Sequence, residues 1–166
     1  MYNISMLNIN DISISDAKKI LEPINNHVIT KAWLGYAGVL FLEIGYLRDY
    51  SIPSSRGVTK SLRGEWTIQI HGHWKILKNN VEVSNYSQPD KEIINKLTIL
   101  EKKKIAVFDL LPQNKQIYLK CGNNLSILIE NLRQNNPWTV HFDDNNTFLY
   151  QKENKFLLEK EKPPIV

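Results

Sequence analysis

Residues 64–77 read Gly-Glu-Trp-Thr-Ile-Gln-Ile-His-Gly-His-Trp-Lys-Ile-Leu and carry the clearest periodic signal in the chain. Apolar side chains and Gly72 take every second position from Trp66 to Ile76, and polar side chains take the positions between them. Because successive side chains of a strand point to opposite faces of a sheet, this alternation predicts a half-buried β-strand. A glycine inside a strand marks a bulge or a sharp bend, so Gly72 is expected to be one of the two.

The composition bounds the class of protein. The chain has 166 residues, of which 42% are hydrophobic and 23% are charged, as is ordinary for a globular domain. We expect a single domain over residues 1–166 that ends in a charged tail, 159–166. The single cysteine, Cys121, excludes an internal disulfide framework and any zinc site built on paired cysteines.

Targeting and membrane signals are weak in this sequence. The first residues lack a basic flank followed by an apolar run, and the oiliest segment, Val39–Leu42, stops at Glu43. A bilayer span needs about 20 apolar residues. With the single cysteine, this pattern leads us to expect a cytoplasmic protein with no membrane contact. The net charge of +4 admits an acidic partner or nucleic acid without requiring either.

The chain before the opening stretch predicts a short helix and then a β-hairpin. Apolar residues at helical spacing run from Ile14 to Leu21, and Pro23 stops the helix. An edge strand is expected before this helix. Candidates for the N-cap of this helix are Ser13 and Ser15. The hairpin strands are expected at His27–Trp33 and Val39–Ile44, joined by the glycine-rich turn Gly35–Gly38.

The chain after the opening stretch repeats this plan. Ser87 is expected to cap a helix with Pro89 in its first turn, and Lys102–Lys104 are expected to end it, because cations are favourable in a last helical turn. Strands follow to the end of the chain. They are predicted at Ile105–Leu111, Ile117–Cys121, Leu125–Glu130, Trp138–Phe142, Thr147–Gln151 and Lys155–Leu158, with turns at Pro112–Lys115, Gly122–Asn124 and Asp143–Asn146.

The two parts of the chain align with each other. Leu40–Gly45 lies over Ile117–Gly122 at an offset of 77 residues, and Trp66 lies over Trp138 at an offset of 72. We therefore predict an α+β fold of two similar helix-plus-antiparallel-sheet halves, about 14–86 and 87–158, that form one compact domain. Tryptophan-bearing strands are expected at its centre, with Trp33 as the least buried of the four tryptophans.

The surplus residues of the first half lie between Gly45 and Trp66 and show no clear period. Long irregular connections are uncommon in compact domains and often carry binding function. Tyrosine and arginine are the residue types most often found as interface hot spots, and Arg48, Tyr50 and Arg56 are the preferred contacts. The predicted partner-binding residues of this segment are Tyr46, Arg48, Asp49, Tyr50, Arg56, Lys60 and Arg63.

Catalytic chemistry has one candidate centre. His71 and His73 stand two apart on the polar parity of the opening stretch, a spacing that can direct two imidazoles at one metal ion. A third ligand would have to come from Glu65, His27 or His141, which the sequence does not place beside them. A metal-dependent enzyme therefore stays an alternative hypothesis, with packed or surface histidines as the simpler interpretation.

No other motif of enzyme chemistry is recognised. Ser54 and Ser55 lack a nucleophile elbow, and the chain has neither a phosphate-binding glycine loop nor a dinucleotide fingerprint, so no cofactor is expected. Cys121 shares the parity of Ile117 and is expected in the core. A nucleic-acid-binding module is a third hypothesis, because tyrosines and cations mix in the segment 46–63, although nucleic acid is not the partner that we expect.

The order Gly64-Glu-Trp66, Trp74-Lys-Ile76, helix, hairpin and Trp138-Thr-Val140 resembles that of small bacterial proteins, some of which are immunity proteins of polymorphic-toxin and contact-dependent growth inhibition systems. The likeness spans most of residues 14–151. It implies a cytoplasmic inhibitor, without catalytic apparatus, that binds and occludes a cognate toxin domain. His71 and His73 depart from this pattern, which has small apolar residues or cysteine there, so the resemblance implies no metal site.

Overall fold

The structure is a computed structural model that describes residues 8–54, 57–111, 116–122, 124–130, 137–142, 147–152 and 155–160. These ranges form antiparallel sheets and two short helices, so the coarse class, α+β, is confirmed. The helices are α1 (Ile14–Leu21) and α2 (Asp90–Leu97), with 3₁₀ turns at Glu22–Ile24 and Tyr36–Gly38. The strands are β1 (Asn8–Ile12), β2 (Ile29–Leu34), β3 (Leu40–Ile44), β4 (Arg48–Ser54), β5 (Gly57–Arg63), β6 (Trp66–Ile70), β7 (His73–Lys78), β8 (Val81–Asn85), β9 (Ile105–Leu111), β10 (Gln116–Cys121), β11 (Leu125–Glu130), β12 (Trp138–His141), β13 (Thr147–Lys152) and β14 (Lys155–Lys160).

The strands of the described ranges form three sheets. A seven-stranded sheet has the order β1-β14-β13-β12-β6-β3-β2, and a five-stranded sheet has the order β8-β7-β11-β10-β9. Strands β4 and β5 pair with each other and, among the described residues, with no other strand. Apolar residues of both large sheets and both helices belong to one hydrophobic core, which includes Leu42, Ile68, Ile76, Leu119, Ala17 and Ile93.

The opening stretch is split between the two large sheets. Its apolar parity is buried as predicted from Ile68 to Ile76, whereas Trp66 is half-buried. The chain bends at Gly72, so β6 enters the seven-stranded sheet and β7 the five-stranded one. The backbone N–H groups of His71 and Gly72 both donate to the carbonyl of Pro137, at 2.8 and 2.9 Å. A Cβ on Gly72 would lie 3.0 Å from Cβ of Pro137, so this close approach explains the glycine.

Both helices follow the predicted pattern, with one difference in capping. Ser13 caps α1 as predicted, because its Oγ accepts a hydrogen bond from the backbone N–H of Asp16 at 3.1 Å. Ser87 does not cap α2; its Oγ donates to Oδ1 of Asn85 at 2.7 Å, and Pro89 occupies the cap position. The Ser87 hydroxyl is therefore bonded to Asn85, before the helix begins, and does not cap the helix.

The lysine run Lys102–Lys104 does not end a helix. Helix α2 ends at Leu97, and the lysines lie in the connection to β9, where Lys102 has a φ of 63°. Their backbone binds the neighbouring strand: the N–H of Lys102 donates to the carbonyl of Ile29 at 2.8 Å, and the N–H of Ile29 donates to the carbonyl of Lys103 at 2.9 Å. The cluster is therefore a structural corner between β2 and β9.

Of the two ends of the described chain, the first agrees with expectation and the second differs from it. An edge strand before α1 was expected, and β1 fills that role at the edge of the seven-stranded sheet. The predicted tail, 159–166, begins inside β14, where Glu159 pairs with Phe148 of β13. The predicted turns over 112–115 and 143–146 and residues 161–166 lie outside the described residues.

The four tryptophans divide into two pairs. Trp74 and Trp138 are fully buried in the core, whereas Trp33 and Trp66 are half-buried. Trp33 lies flat on Phe41, with ring centroids 4.0 Å apart, and Trp66 meets the ring of His27 edge-on. The prediction that tryptophans lie at the centre is confirmed for the fully buried pair.

Candidate functional site

The segment predicted as an irregular connection is a regular β-hairpin, so that prediction was wrong. Seven successive pairs join β4 to β5, from Arg48 opposite Arg63 to Ser54 opposite Gly57. Alternation is visible in Val58-Thr-Lys-Ser-Leu62 once the partner strand is known, but Pro53 and the scarcity of apolar residues obscure it in sequence. Nearly all of β5 is solvent-exposed, because neither strand joins a larger sheet in the described ranges.

The register divides the predicted contact residues between two faces of the hairpin. Directly paired residues of an antiparallel ladder share a face. We call one the Tyr50 face and the other the Val58 face. The Tyr50 face carries Arg48, Tyr50, Thr59, Ser61 and Arg63. The Val58 face carries Asp49, Ser51, Val58, Lys60 and Leu62. Of the two remaining predicted residues, Tyr46 precedes β4 and is 73% exposed, and Arg56 lies outside the described residues.

The Tyr50 face is held together by a cation–π contact. The guanidinium carbon of Arg63 lies 3.9 Å from the centroid of the Tyr50 ring. Such contacts contribute about 0.5–1 kcal/mol at exposed sites. The contact orients Tyr50, one of the three preferred contacts, against Arg63, another of the predicted partner-binding residues.

The base of the hairpin is anchored by Glu43, which sequence reasoning did not assign to the site. Its side chain is fully buried at the end of β3 and accepts three hydrogen bonds. Oε1 accepts from Nε1 of Trp33 at 3.1 Å, and Oε2 accepts from Oγ1 of Thr67 at 2.6 Å and from the backbone N–H of Gly64 at 2.9 Å. A buried carboxylate persists only when it is satisfied in this way.

A second carboxylate secures the other strand of the base. Oε2 of Glu65 accepts a hydrogen bond from the backbone N–H of Tyr46 at 2.9 Å. Gly45, with a φ of 80°, leaves room for this side chain, because a Cβ at position 45 would run into the Glu65 carboxylate. Glu43 and Glu65 together fix where both strands of the hairpin leave the seven-stranded sheet. A glutamate within the apolar run Val39–Ile44 was the sequence signal for this anchor.

A histidine with buried ring nitrogens, His141, lies near the hairpin base. His141 lies opposite Thr67 on β6, and both of its ring nitrogens are buried without a hydrogen-bond partner. Burial, followed by the charges of Arg63 and His71, lowers the pKa of His141 to about 4. The imidazole is therefore neutral at pH 7, while Arg63 keeps its charge.

Exposed aliphatic side chains on the Val58 face were missed by sequence reasoning. Val58 is 67% exposed and Leu62 is 43% exposed, with Lys60 between them on the same face. Large apolar side chains this exposed, close together on one strand, are typical of a contact surface. The spacing Val58-x-Lys60-x-Leu62 was the available signal, and it is informative only when these residues are known to form a strand.

The candidate metal pair is separated by the bend at Gly72. His71 is exposed, and its backbone binds Pro137, whereas the ring of His73 stacks on Tyr86 with centroids 4.0 Å apart. Burial lowers the pKa of His71. No group of three histidine, cysteine, aspartate or glutamate side chains in the described ranges is arranged to hold a metal ion. Glu65, one candidate third ligand, binds Tyr46 instead.

The remaining chemical groups belong to the scaffold. Cys121 is fully buried, and burial raises the pKa of its thiol to about 12, so the predicted core position is confirmed and the thiolate is not available at pH 7. A surface pocket of about 350 Å³ lies between Asn79, Tyr118 and Lys120, away from the hairpin. Its lining has no histidine or carboxylate to activate a nucleophile in the described residues.

Similarity to other proteins does not identify this molecule. No family model matches the chain, and no curated protein or solved structure is significantly similar to it. Within the described ranges, no helix is both long and apolar enough to cross a membrane. What the molecule does must therefore follow from its own surfaces, of which the hairpin is the most distinctive.

Proposed function

We propose that this protein is an immunity protein that acts in the cytoplasm and neutralises a cognate toxin domain by steric occlusion. The observation that carries the proposal is the β4–β5 hairpin, an exposed two-stranded element that stands outside both large sheets and displays tyrosine, arginine and aliphatic side chains. None of the hairpin side chains that the structure describes belongs to the hydrophobic core. The simplest explanation for such an exposed hairpin is that it forms a surface for binding another macromolecule.

The anchoring of the hairpin supports a binding role. Association costs free energy for every loop and side chain that becomes ordered at an interface. Three hydrogen bonds to Glu43 and one to Glu65 fix the hairpin base, and Tyr50 orients Arg63. Much of this surface is therefore ordered before a partner arrives, which lowers the cost of binding.

The charge of the hairpin indicates the kind of partner surface. The described part of the hairpin carries Arg48, Lys60 and Arg63 against a single carboxylate, Asp49. Complementary potentials speed association and select partners. We therefore expect the toxin domain to present an acidic surface at this contact. Occlusion requires no catalytic group on the immunity protein.

The test uses the toxin domain encoded by the gene next to that of this protein. The pair is co-purified, and its affinity is measured by calorimetry for the wild type and for the triple variant Arg48→Ala, Tyr50→Ala, Arg63→Ala. We expect binding to weaken about 100-fold, because these are hot-spot residue types. The matched control, Lys91→Ala, Tyr118→Ala, Lys120→Ala, also removes two cations and one tyrosine and should bind normally.

Two outcomes would count against the proposal in different ways. An unchanged affinity of the hairpin triple variant would remove the hairpin as the contact surface. Failure of the two proteins to co-purify, with no protection of cells that express the toxin domain, would remove the immunity function itself. Steeply salt-dependent binding to RNA or DNA by the wild type alone would instead favour the nucleic-acid hypothesis.

We also propose that the two halves of the chain share one plan, into which the hairpin is inserted. An offset of 76 residues relates the bounds of α1 to those of α2, and the same offset relates Ile29 to Ile105 at the starts of β2 and β9. The N–H of Ile29 donates to the carbonyl of Lys103, and the N–H of Ile105 donates to that of His27, a reciprocal pair at this offset.

The strand pairings support the same plan and revise one detail of the predicted alignment. In the seven-stranded sheet β2, β3 and β6 of the first half are adjacent, and in the five-stranded sheet β9, β10 and β11 of the second half are adjacent. Each set of three is extended by a strand of the other half: β12 pairs with β6, and β7 pairs with β11. Trp74 pairs with Ile129, and Trp138 pairs with Ile70. In this plan Trp74, rather than Trp66, corresponds to Trp138, and both are fully buried.

A further inference from the structure

The hairpin leaves strand edges open to solvent. Neither β4 nor β5 pairs with a further strand in the described ranges. An open edge presents backbone N–H and C=O groups that pair readily with another extended segment. Natural proteins cover or interrupt such edges unless they use them for binding. The two edges of the hairpin differ in whether every outward-facing residue has an N–H to donate.

The register identifies the outward-facing groups. The ladder closes with Ser54 opposite Gly57, and the pair that closes a two-residue connection is a hydrogen-bonded one. Hydrogen-bonded and non-hydrogen-bonded pairs alternate along an antiparallel ladder. The backbone groups of Val58, Lys60 and Leu62 therefore point away from β4. On the opposite edge the corresponding set includes Pro53, which has no N–H to donate.

The side chains along the outer edge of β5 form a recognisable pattern. Val58, Lys60 and Leu62 share the Val58 face and read apolar, cationic, apolar at successive outward positions. All three are solvent-exposed. An added strand would place its own alternate side chains directly beside these three, because residues opposite one another share a face. The chemistry that matches is apolar, acidic, apolar.

We propose that the outer edge of β5 binds an extended segment of a protein partner with the pattern apolar-x-acidic-x-apolar. The segment adds a third strand to the hairpin, with its carboxylate beside Lys60 and its apolar side chains beside Val58 and Leu62. The inference rests on the proposed function in that the partner is a protein. A second copy of this chain fits less well, because antiparallel pairing centred on Lys60 would place two lysines side by side.

The test needs no toxin. The capped peptide Thr-Val-Thr-Glu-Thr-Val-Thr is titrated to about 5 mM into the ¹⁵N-labelled full chain. We expect the amide resonances of Val58, Lys60 and Leu62 to shift and their hydrogen exchange to slow. The same peptide with lysine in place of glutamate is the matched control and should give no shifts. Methylation of the glutamate amide nitrogen should abolish binding, and methylation of the next threonine amide should not.

A charge swap sharpens the result. In Lys60→Glu, an exposed position where folding should be unaffected, the glutamate peptide should bind roughly fivefold more weakly and the lysine peptide roughly fivefold more tightly than to the wild type. Absence of shifts, shifts confined to another surface, or a concentration-dependent dimer that protects the β5 amides would each overturn the proposal. Those results would leave toxin binding through the Tyr50 face intact, so the two proposals fail separately.

Discussion

Two connections of this molecule begin alike and end differently. Strand β3 leads into Gly45, and β10 leads into Gly122; both glycines have a positive φ, 80° and 63°. Both donate their N–H to a backbone carbonyl, Gly45 to Val28 at 2.9 Å and Gly122 to Lys104 at 2.7 Å. After Gly122 the chain enters β11 at Leu125, but after Gly45 it makes the whole hairpin before β6.

The short connection in the five-stranded sheet shows how few residues can join two adjacent antiparallel strands of this fold. Strands β10 and β11 pair over six positions with a minimal turn between them, whereas β3 and β6 pair over five positions although the hairpin separates them. The hairpin is therefore much longer than the connection that joins the equivalent pair of strands in the other sheet. What it adds is exposed surface, held by two glutamates, and this difference is the strongest sign that the element serves binding.

The largest effect is expected from making the two connections alike. Replacement of residues 48–63 by Asn-Gly should weaken toxin binding by at least about 1,000-fold, because the contact surface is removed. The melting temperature should change by less than about 5 °C. Calorimetry and thermal unfolding followed by near-ultraviolet circular dichroism measure the two quantities. Loss of cooperative unfolding would show that the hairpin is part of the fold.

The next largest effect tests the anchor. Glu43→Ala leaves three donors without their acceptor in a buried site, and we expect the free energy of unfolding to fall by about 3 kcal/mol. Lys120, at the corresponding place in β10, is exposed, and Lys120→Ala should change stability by less than about 0.5 kcal/mol. Urea unfolding measures both. Equal losses would mean that Glu43 is not the distinguishing feature of the hairpin-bearing connection.

Acid should weaken the hairpin end of the sheet. His141 has an ordinary pKa of 6.5 when unfolded and about 4 when folded. Between these values the unfolded state binds a proton that the folded state does not, so stability falls as pH drops from 6.5 to 4. We expect a loss of about 2 kcal/mol, allowing for partial exposure of the ring. Urea unfolding of His141→Phe across this range should lose most of that slope; an unchanged slope would exclude His141 as its source.

The smallest effect compares the two glycines directly. Alanine at either position must adopt a positive φ, at a cost of about 1 kcal/mol. At Gly45 the new Cβ would also displace the Glu65 carboxylate, whereas at Gly122 its nearest neighbour is Cδ of Lys103 at 3.9 Å. Gly45→Ala should therefore be about 1 kcal/mol less stable than Gly122→Ala in urea unfolding. Equal values would show that Glu65 moves freely.

Much of the fold could be predicted from periodicity. Alternation located β6 and β7, and helical spacing located α1 and α2, because each of these elements buries one face against the core. The partition of strands between two sheets could not be predicted. It depends on the bend at Gly72, where two N–H groups meet the carbonyl of Pro137, a contact between residues that are far apart in sequence.

The candidate site was located by sequence but its form was not. Tyr46, Arg48 and Tyr50 drew attention by residue type, which survives any change in local structure. The described residues of their segment include no buried side chain, so no strong alternation marks it as two strands, and Val58 and Leu62 carry no signal in the sequence until the strands are known. The role of Glu43 depends on Trp33 and Gly64, which only the folded chain brings within reach.

The interleaving of the two large sheets has a consequence for biosynthesis. Strand β6 pairs with β12 in the seven-stranded sheet, and β7 pairs with β11 in the five-stranded sheet. Neither sheet can therefore be completed until the later strands have been synthesised. At about 5–20 residues per second, a ribosome takes several seconds to deliver the stretch from Trp66 to Trp138. During that interval the nascent chain carries uncovered apolar strands. Under the proposed immunity function, a cell would therefore have to keep a stock of finished molecules rather than make them on demand.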